Sequence, residues 1–140
     1  MTVFAENEIL KITVFELSVK KVLHLKWKPT TAGLKDREYR ENVLLYAACI
    51  ESFKTELALI DTRNFLYTIP LETQEWINAE VFPKNIENGL SRMAIVVSPD
   101  FFAKLSVELT MSDNPNLAFQ VMYFETEEAA WEWLKSHDKS

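Results

Sequence analysis

The chain has 140 residues and a mass of 16.3 kDa, the size of one ordinary domain, and a domain of that length hides roughly two-thirds of the surface its unfolded chain exposes. Hydrophobic residues make up 48% and charged residues 26%, with only 2 Gly and 5 Pro, which excludes collagen-like, low-complexity and disordered chains. The formal net charge of -6 argues against nucleic-acid binding, because affinity for a phosphate backbone comes mainly from clustered Lys and Arg.

One domain over residues 1–140 is the economical expectation, since no Gly/Ser linker, repeat or charge block divides the chain. The longest apolar run, Val43 to Ile50, falls far short of the roughly 20 residues that span a bilayer. Met1 to Glu8 is acidic where a secretory signal would be basic. A cytoplasmic protein without a transmembrane segment is expected. Cys49 is the single cysteine, so no internal disulfide can form.

In chain order, residues 3–5 suit a short edge strand. Residues 8–16 and 20–28 alternate apolar and polar side chains as half-buried strands do, with Leu10, Ile12 and Val14 on one face and Leu23, Leu25 and Trp27 on another. Their short connection suits an antiparallel hairpin. Tyr39, Val43, Tyr46, Ala47, Ile50 and Phe53 then recur at steps of three and four, predicting a helix over about 35–54. Residues 57–60 are apolar on both faces, as inner strands are, and Asp61, Thr62, Arg63 and Asn64 form the loop that follows. A second helix is expected from Pro70 through Trp76, Ile77, Glu80 and Val81, with Pro83 kinking or ending it and Gly89 closing another turn. Met93 to Val97 is the most hydrophobic strand candidate. Ser98 and Pro99 start a third helix that runs to about Met111, and Asp113, Asn114 and Pro115 make a loop. A strand over 119–124 and a last helix capped by Thr126 complete the chain. The fold class is therefore α/β: an N-terminal β-hairpin followed by alternating α and β, building a mixed β-sheet flanked by helices.

The residue inventory is poor in chemistry. His24 and His137, the only histidines, lie far apart and neither comes with a nucleophile and an orienting partner. Cys49 sits in the apolar stretch of the first helix and reads as core. No zinc-ligand spacing and no glycine-rich phosphate loop exist, and acids such as Glu127 and Glu128 are explained by a helix N-terminus. No catalytic residue, metal ligand or cofactor is expected.

The segment 61–68 stands out instead. It leaves the C-terminal end of an inner strand and leads towards a helix N-terminus, where open α/β sheets place their binding crevices. Asp61, Thr62, Arg63, Asn64 and Thr68 make it the candidate interaction loop, although Asp61 and Asn64 can equally satisfy turn amides and Thr68 can cap the helix. Two aromatic residues are candidate exposed contacts. Phe101 and Phe102 are adjacent, so both cannot face inward from one helix, and Phe102 is the candidate; Trp133 lies to the side of the last helix, whereas Trp131 reads as core.

Strand and loop Leu57-Ala58-Leu59-Ile60-Asp61-Thr62-Arg63-Asn64-Phe65, the helix with Gln74-Glu75-Trp76-Ile77, the strand ending in Ser98-Pro99-Asp100-Phe101-Phe102, and the stretch Phe124 to Leu134 with its Thr-Glu-Glu-Ala-Ala core together resemble the SpoIIAA-like, or STAS-type, small bacterial proteins over nearly the whole chain. The resemblance implies a mixed sheet flanked by helices, no cofactor, and a role in protein–protein regulation like that of anti-sigma factor antagonists. In the phosphorylated branch a serine lies at the start of the second helix. The matching stretch here is Thr68-Ile69-Pro70-Leu71, which has no serine, so that serine is not carried over; Thr68 is the nearest hydroxyl and Thr62 a more distant one. The architecture is also similar to the CRAL-TRIO lipid-exchange fold, so a small apolar ligand or a peripheral membrane role is the second expectation. A homodimer is expected because inner strands apolar on both faces need cover.

Overall fold

The computed structural model describes residues 1–102 and 119–139. Strands β1 (Thr2–Glu6), β2 (Leu10–Glu16) and β3 (Lys21–Trp27) form an antiparallel meander. The β2–β3 register runs from Leu10↔Trp27 to Glu16↔Lys21, so the alternation in both strands turns Leu10, Ile12, Val14, Leu23, Leu25 and Trp27 to one buried face. β1 is the edge, and a register shift between Val3 and Ala5 interrupts it.

A 3-10 turn, Pro29–Gly33, leads into helix α1 (Asp36–Phe53), which buries Tyr39, Val43, Tyr46, Cys49 and Ile50. Asp36 and Glu38 lie in its first turn, where negative charge suits the helix dipole. Lys54 closes it in the left-handed conformation at φ 54. β4 (Leu57–Asp61) is buried along its whole length between β3 and β5 (Arg92–Val96), and β6 (Gln120–Phe124) follows β5; all four run parallel. The sheet order is β1-β2-β3-β4-β5-β6.

Between β4 and β5 the chain forms α2 (Leu71–Trp76), one π-helical turn (Ile77–Val81) and α3 (Phe82–Glu87). Here the structure refines the expectation that Pro83 kinks or ends a helix. Pro83 cannot donate to the carbonyl of residue 79, and its ring would crowd that carbonyl. Widening the preceding turn, so that the Phe82 N–H reaches back five residues to the Ile77 carbonyl, lets the helical path continue to Glu87. Gly89, at φ +111, then reverses the chain.

Helices cover both faces of the sheet. On one side α1, the π-turn and β2–β5 share a core that includes Leu25, Trp27, Tyr39, Ile60, Ile77 and Met93. On the other, α4 (Glu127–Ser136) lays Ala130 and Leu134 on Val22, Leu57, Leu59, Ala94 and Val96. Thr126 caps α4 by accepting the Ala129 N–H at 3.2 Å. The cover expected from a second copy is thus supplied to β4 by helices of the same chain. Trp131, expected in the core, is half-buried. Residues 99–102 open as a helix, with Ser98 Oγ accepting the Phe101 N–H at 3.4 Å; its expected run to Met111, and the loop at Asp113, Asn114 and Pro115, lie outside the described residues.

Candidate functional site

At the C-terminal ends of the parallel strands, on the α1 side of the sheet, lies a cavity of about 900 Å³, within the range that encloses a small organic ligand. Its floor is Leu25, Trp27, Ile60, Met93, Ile95 and Val97 from β3, β4 and the β5 end. Tyr39 and Tyr46 of α1, the loop 62–69, and Ile77, Asn78 and Phe82 wall it, with Ser98, Phe101 and Tyr123 completing the rim.

The aromatic wall is held as a unit. Trp27 packs against Phe65 at 4.9 Å and Tyr39 at 5.6 Å between ring centroids, and Tyr39 against Tyr67 at 5.2 Å. A polar lock behind it fastens the loop and α2 to α1: the Asp36 carboxylate accepts from Tyr67 Oη at 2.9 Å, Thr73 Oγ1 at 2.7 Å and Arg40 Nε at 2.8 Å. Arg40 also lies over the Trp76 ring at 5.1 Å. Burial alone would raise the Asp36 carboxyl, but the hydrogen bonds from Thr73, Tyr67 and Arg40 outweigh it and hold it below its ordinary value.

The candidate loop residues divide between this groove and the opposite face. Thr62, Arg63 and Thr68 line the groove. Thr62 is stitched to β5, its N–H and its hydroxyl both donating to the Val96 carbonyl at 2.9 and 2.8 Å. Thr68 is exposed and caps no helix, because Pro70 occupies the cap of α2 without a side-chain bond. Asn64 is exposed, and its carbonyl accepts from Thr31 Oγ1 at 3.2 Å.

Asp61 is only 1% exposed and belongs to the α4 side of β4. Arg63 folds back onto it with Nε at 3.0 Å, Nη2 at 2.7 Å and the backbone N–H at 3.1 Å. Burial would raise the Asp61 carboxyl, but the Arg63 hydrogen bonds and the charges of Arg63 and Lys26 pull it below the ordinary value. The Arg63 guanidinium is thus an internal counter-ion.

The aromatic candidates fare differently. Phe102 is half-buried, and its neighbour Phe101, 52% exposed, is the one that reaches the groove. Trp133 is half-buried against Phe124 and His137 on the other side of the sheet. The structure does not bring Trp133 to the loop.

What sequence reasoning missed is the wall. Tyr39 and Tyr46 carry the signal of an apolar helix face, and nothing local distinguishes a filled face from one that lines a cavity. His24, for which the sequence supplies no orienting partner, is half-buried in β3, stacked on Trp131 at 6.1 Å with Nε2 2.5 Å from Glu127 Oε1. Cys49 is fully buried and burial pushes its thiol up to about 12, which keeps it from acting as a thiolate. Among the described residues no group of three or more His, Cys, Asp or Glu side chains is arranged to hold a metal ion, and no helix is long and apolar enough to cross a membrane.

The comparisons with known proteins agree with this architecture. The crystal structure of an uncharacterized protein of the DUF3478 family from Shewanella loihica PV-4, described as having a SpoIIAA-like fold, superposes with a TM-score of 0.57 at 19% identity, covering 93% of this chain and 98% of that one. No curated protein matches the chain. A family model described as SpoIIAA-like matches residues 22–135, from the start of β3 to the last turn of α4, and the chain belongs to that family.

Proposed function

We propose that this chain is a non-enzymatic regulatory module, one domain over residues 1–140, that acts by binding an apolar small molecule in the groove at the C-terminal ends of its parallel strands. The observation that carries this reading is the cavity of about 900 Å³ between an apolar floor and an aromatic wall. The buried thiol of Cys49 supports a binding role over a chemical one. Native mass spectrometry of the protein purified from cells tests it: a retained apolar molecule is expected, and its loss from Ile95→Trp, which fills the floor, places it in the groove. Protein that carries none and takes up no apolar probe rules the reading out.

A second reading, regulation through protein–protein contact, draws on the rim, where Leu66 and Phe101 are 58% and 52% exposed beside the groove and Leu71, at the start of α2, is 69% exposed. In this reading the rim meets a partner protein or a second copy in a homodimer, and Thr68 is the hydroxyl open to phosphorylation, since Thr62 already donates to Val96. Light scattering on Leu66→Asp and mass analysis for phosphate on Thr68 or Thr62 separate this reading from the first. A monomer with no phosphate, and partner capture unchanged by Leu66→Asp, eliminates it.

A further inference from the structure

Two tyrosines in the groove wall have hydroxyls with no hydrogen-bond partner among the described residues. Tyr39 and Tyr46 are 6% and 8% exposed and both line the cavity. Their neighbours Tyr67 and Thr73 donate to Asp36, but neither Tyr39 nor Tyr46 has a hydroxyl hydrogen bond among the described residues. Nor do their oxygens fall among the sealed unpartnered atoms, which are Thr55 Oγ1, the Asn85 amide and Arg92 Nε. Both side chains border the cavity. A buried hydroxyl without a partner is costly, and an acceptor delivered by a ligand removes that cost.

The charge around them selects the acceptor. Burial first, then the nearby Tyr67 and Asp36, push the Tyr39 phenol up, and burial with Tyr39 beside it does the same to Tyr46. Both stay protonated donors. The two arginines near the groove are already committed, Arg40 to Asp36 and Arg63 to Asp61. An anionic head would meet no free cation among the described lining residues, and it would feel the Asp36 charge.

We propose that the groove takes a neutral apolar molecule carrying a carbonyl-type oxygen, a ketone, ester, amide or quinone, which accepts hydrogen bonds from Tyr39 and Tyr46 while its hydrocarbon body lies on the Leu25–Ile60–Met93–Ile95 floor. This rests on the groove being a ligand site, as proposed above, and adds the chemical class. The polar pair sits at the α1 side of the cavity, so the ligand enters with its oxygen directed towards α1.

Displacement of the neutral fluorescent probe N-phenyl-1-naphthylamine by octane, octan-2-one and octanoate tests it on the full chain at pH 8. Octan-2-one is expected to bind wild type about tenfold more tightly than it binds Tyr39→Phe or Tyr46→Phe, while octane binds all three alike and octanoate binds wild type more weakly than the ketone. Equal ketone affinity across the three proteins, or octanoate binding more tightly than the ketone, overturns the carbonyl assignment while leaving an apolar site. No probe uptake by wild type overturns the ligand site itself. A second readout guards against misfolding: because neither hydroxyl has a partner among the described residues, Tyr46→Phe is expected to keep or raise the thermal midpoint, and a fall of more than about 4 °C shows an internal partner and ends the proposal.

Discussion

Asp61 and Arg63 show how two neighbouring residues in one loop can be given opposite tasks. The carboxylate is buried at the end of β4, and the guanidinium, 40% exposed, grips it through two nitrogens. Removing the cation leaves a charge in a poor solvent environment. Arg63→Ala is therefore expected to lower stability by about 1–2 kcal/mol, a figure held down by the solvent exposure of the arginine, and urea unfolding measures it. Asp61→Asn with Arg63→Ala should recover part of the loss, because the orphaned charge is then gone. Among the described residues three aspartates have carboxyls held low, Asp36, Asp61 and Asp138, and they set the acid limit. A folded pKa depressed below the ordinary 3.8 contributes stability that is complete above that value and disappears as pH falls through the lower folded one. Thermal midpoints should stay level above about pH 5 and drop below about pH 4; a midpoint unchanged down to pH 2.5 contradicts this.

Elements of this fold are joined by a few side chains acting on backbone. Asp138, just past α4, accepts the N–H groups of Ser18, Val19 and Lys20 at 2.8, 3.0 and 2.7 Å, and Lys20 Nζ donates back to the His137 carbonyl at 2.9 Å. The chain end is thereby clipped to the β2–β3 turn, some 120 residues away in sequence. Asp138→Ala should speed hydrogen exchange of those three amides by about tenfold or more, with the strand amides of β2 and β3 little changed. Equal acceleration throughout the hairpin would show that the clip holds the strands and not the turn. The π-turn before Pro83 works at the same scale. It turns Ile77, Asn78 and Phe82 to the groove, so the missing N–H of one proline shapes the wall opposite Tyr39.

Across the whole molecule, the two faces of the sheet are unequal. Among the described residues the α1 side holds the larger core and the cavity, while the α4 side is a smaller cluster in which Leu134, fully buried, meets Val22, Leu57, Leu59, Ala94 and Val96. Leu134→Ala should cost about 2–5 kcal/mol and loosen α4 ahead of the sheet, which urea unfolding followed by the fluorescence of Trp131 and Trp133 can read. A cost below about 1 kcal/mol would mean that α4 adds little to the fold.

Much of this was legible in the chain. Alternation in β2 and β3, the three-and-four spacing of α1, and the doubly apolar β4 each report which way side chains face, and those directions suffice for a mixed sheet with helices on both sides. Thr62, Arg63 and Thr68 could be placed at the crevice because loops after parallel strands open there. What the tertiary structure alone decided is whether an inward face meets a filling surface. Tyr39 and Tyr46 have the periodicity of core residues and are nearly as buried, yet they border the cavity that the loop after β4 and the π-turn also wall. Likewise Arg63 looks like a free donor in the loop until β4 buries Asp61 beside it. Periodicity is a property of one element, whereas a cavity and a counter-ion are properties of the gap between several, and only their packing fixes that gap.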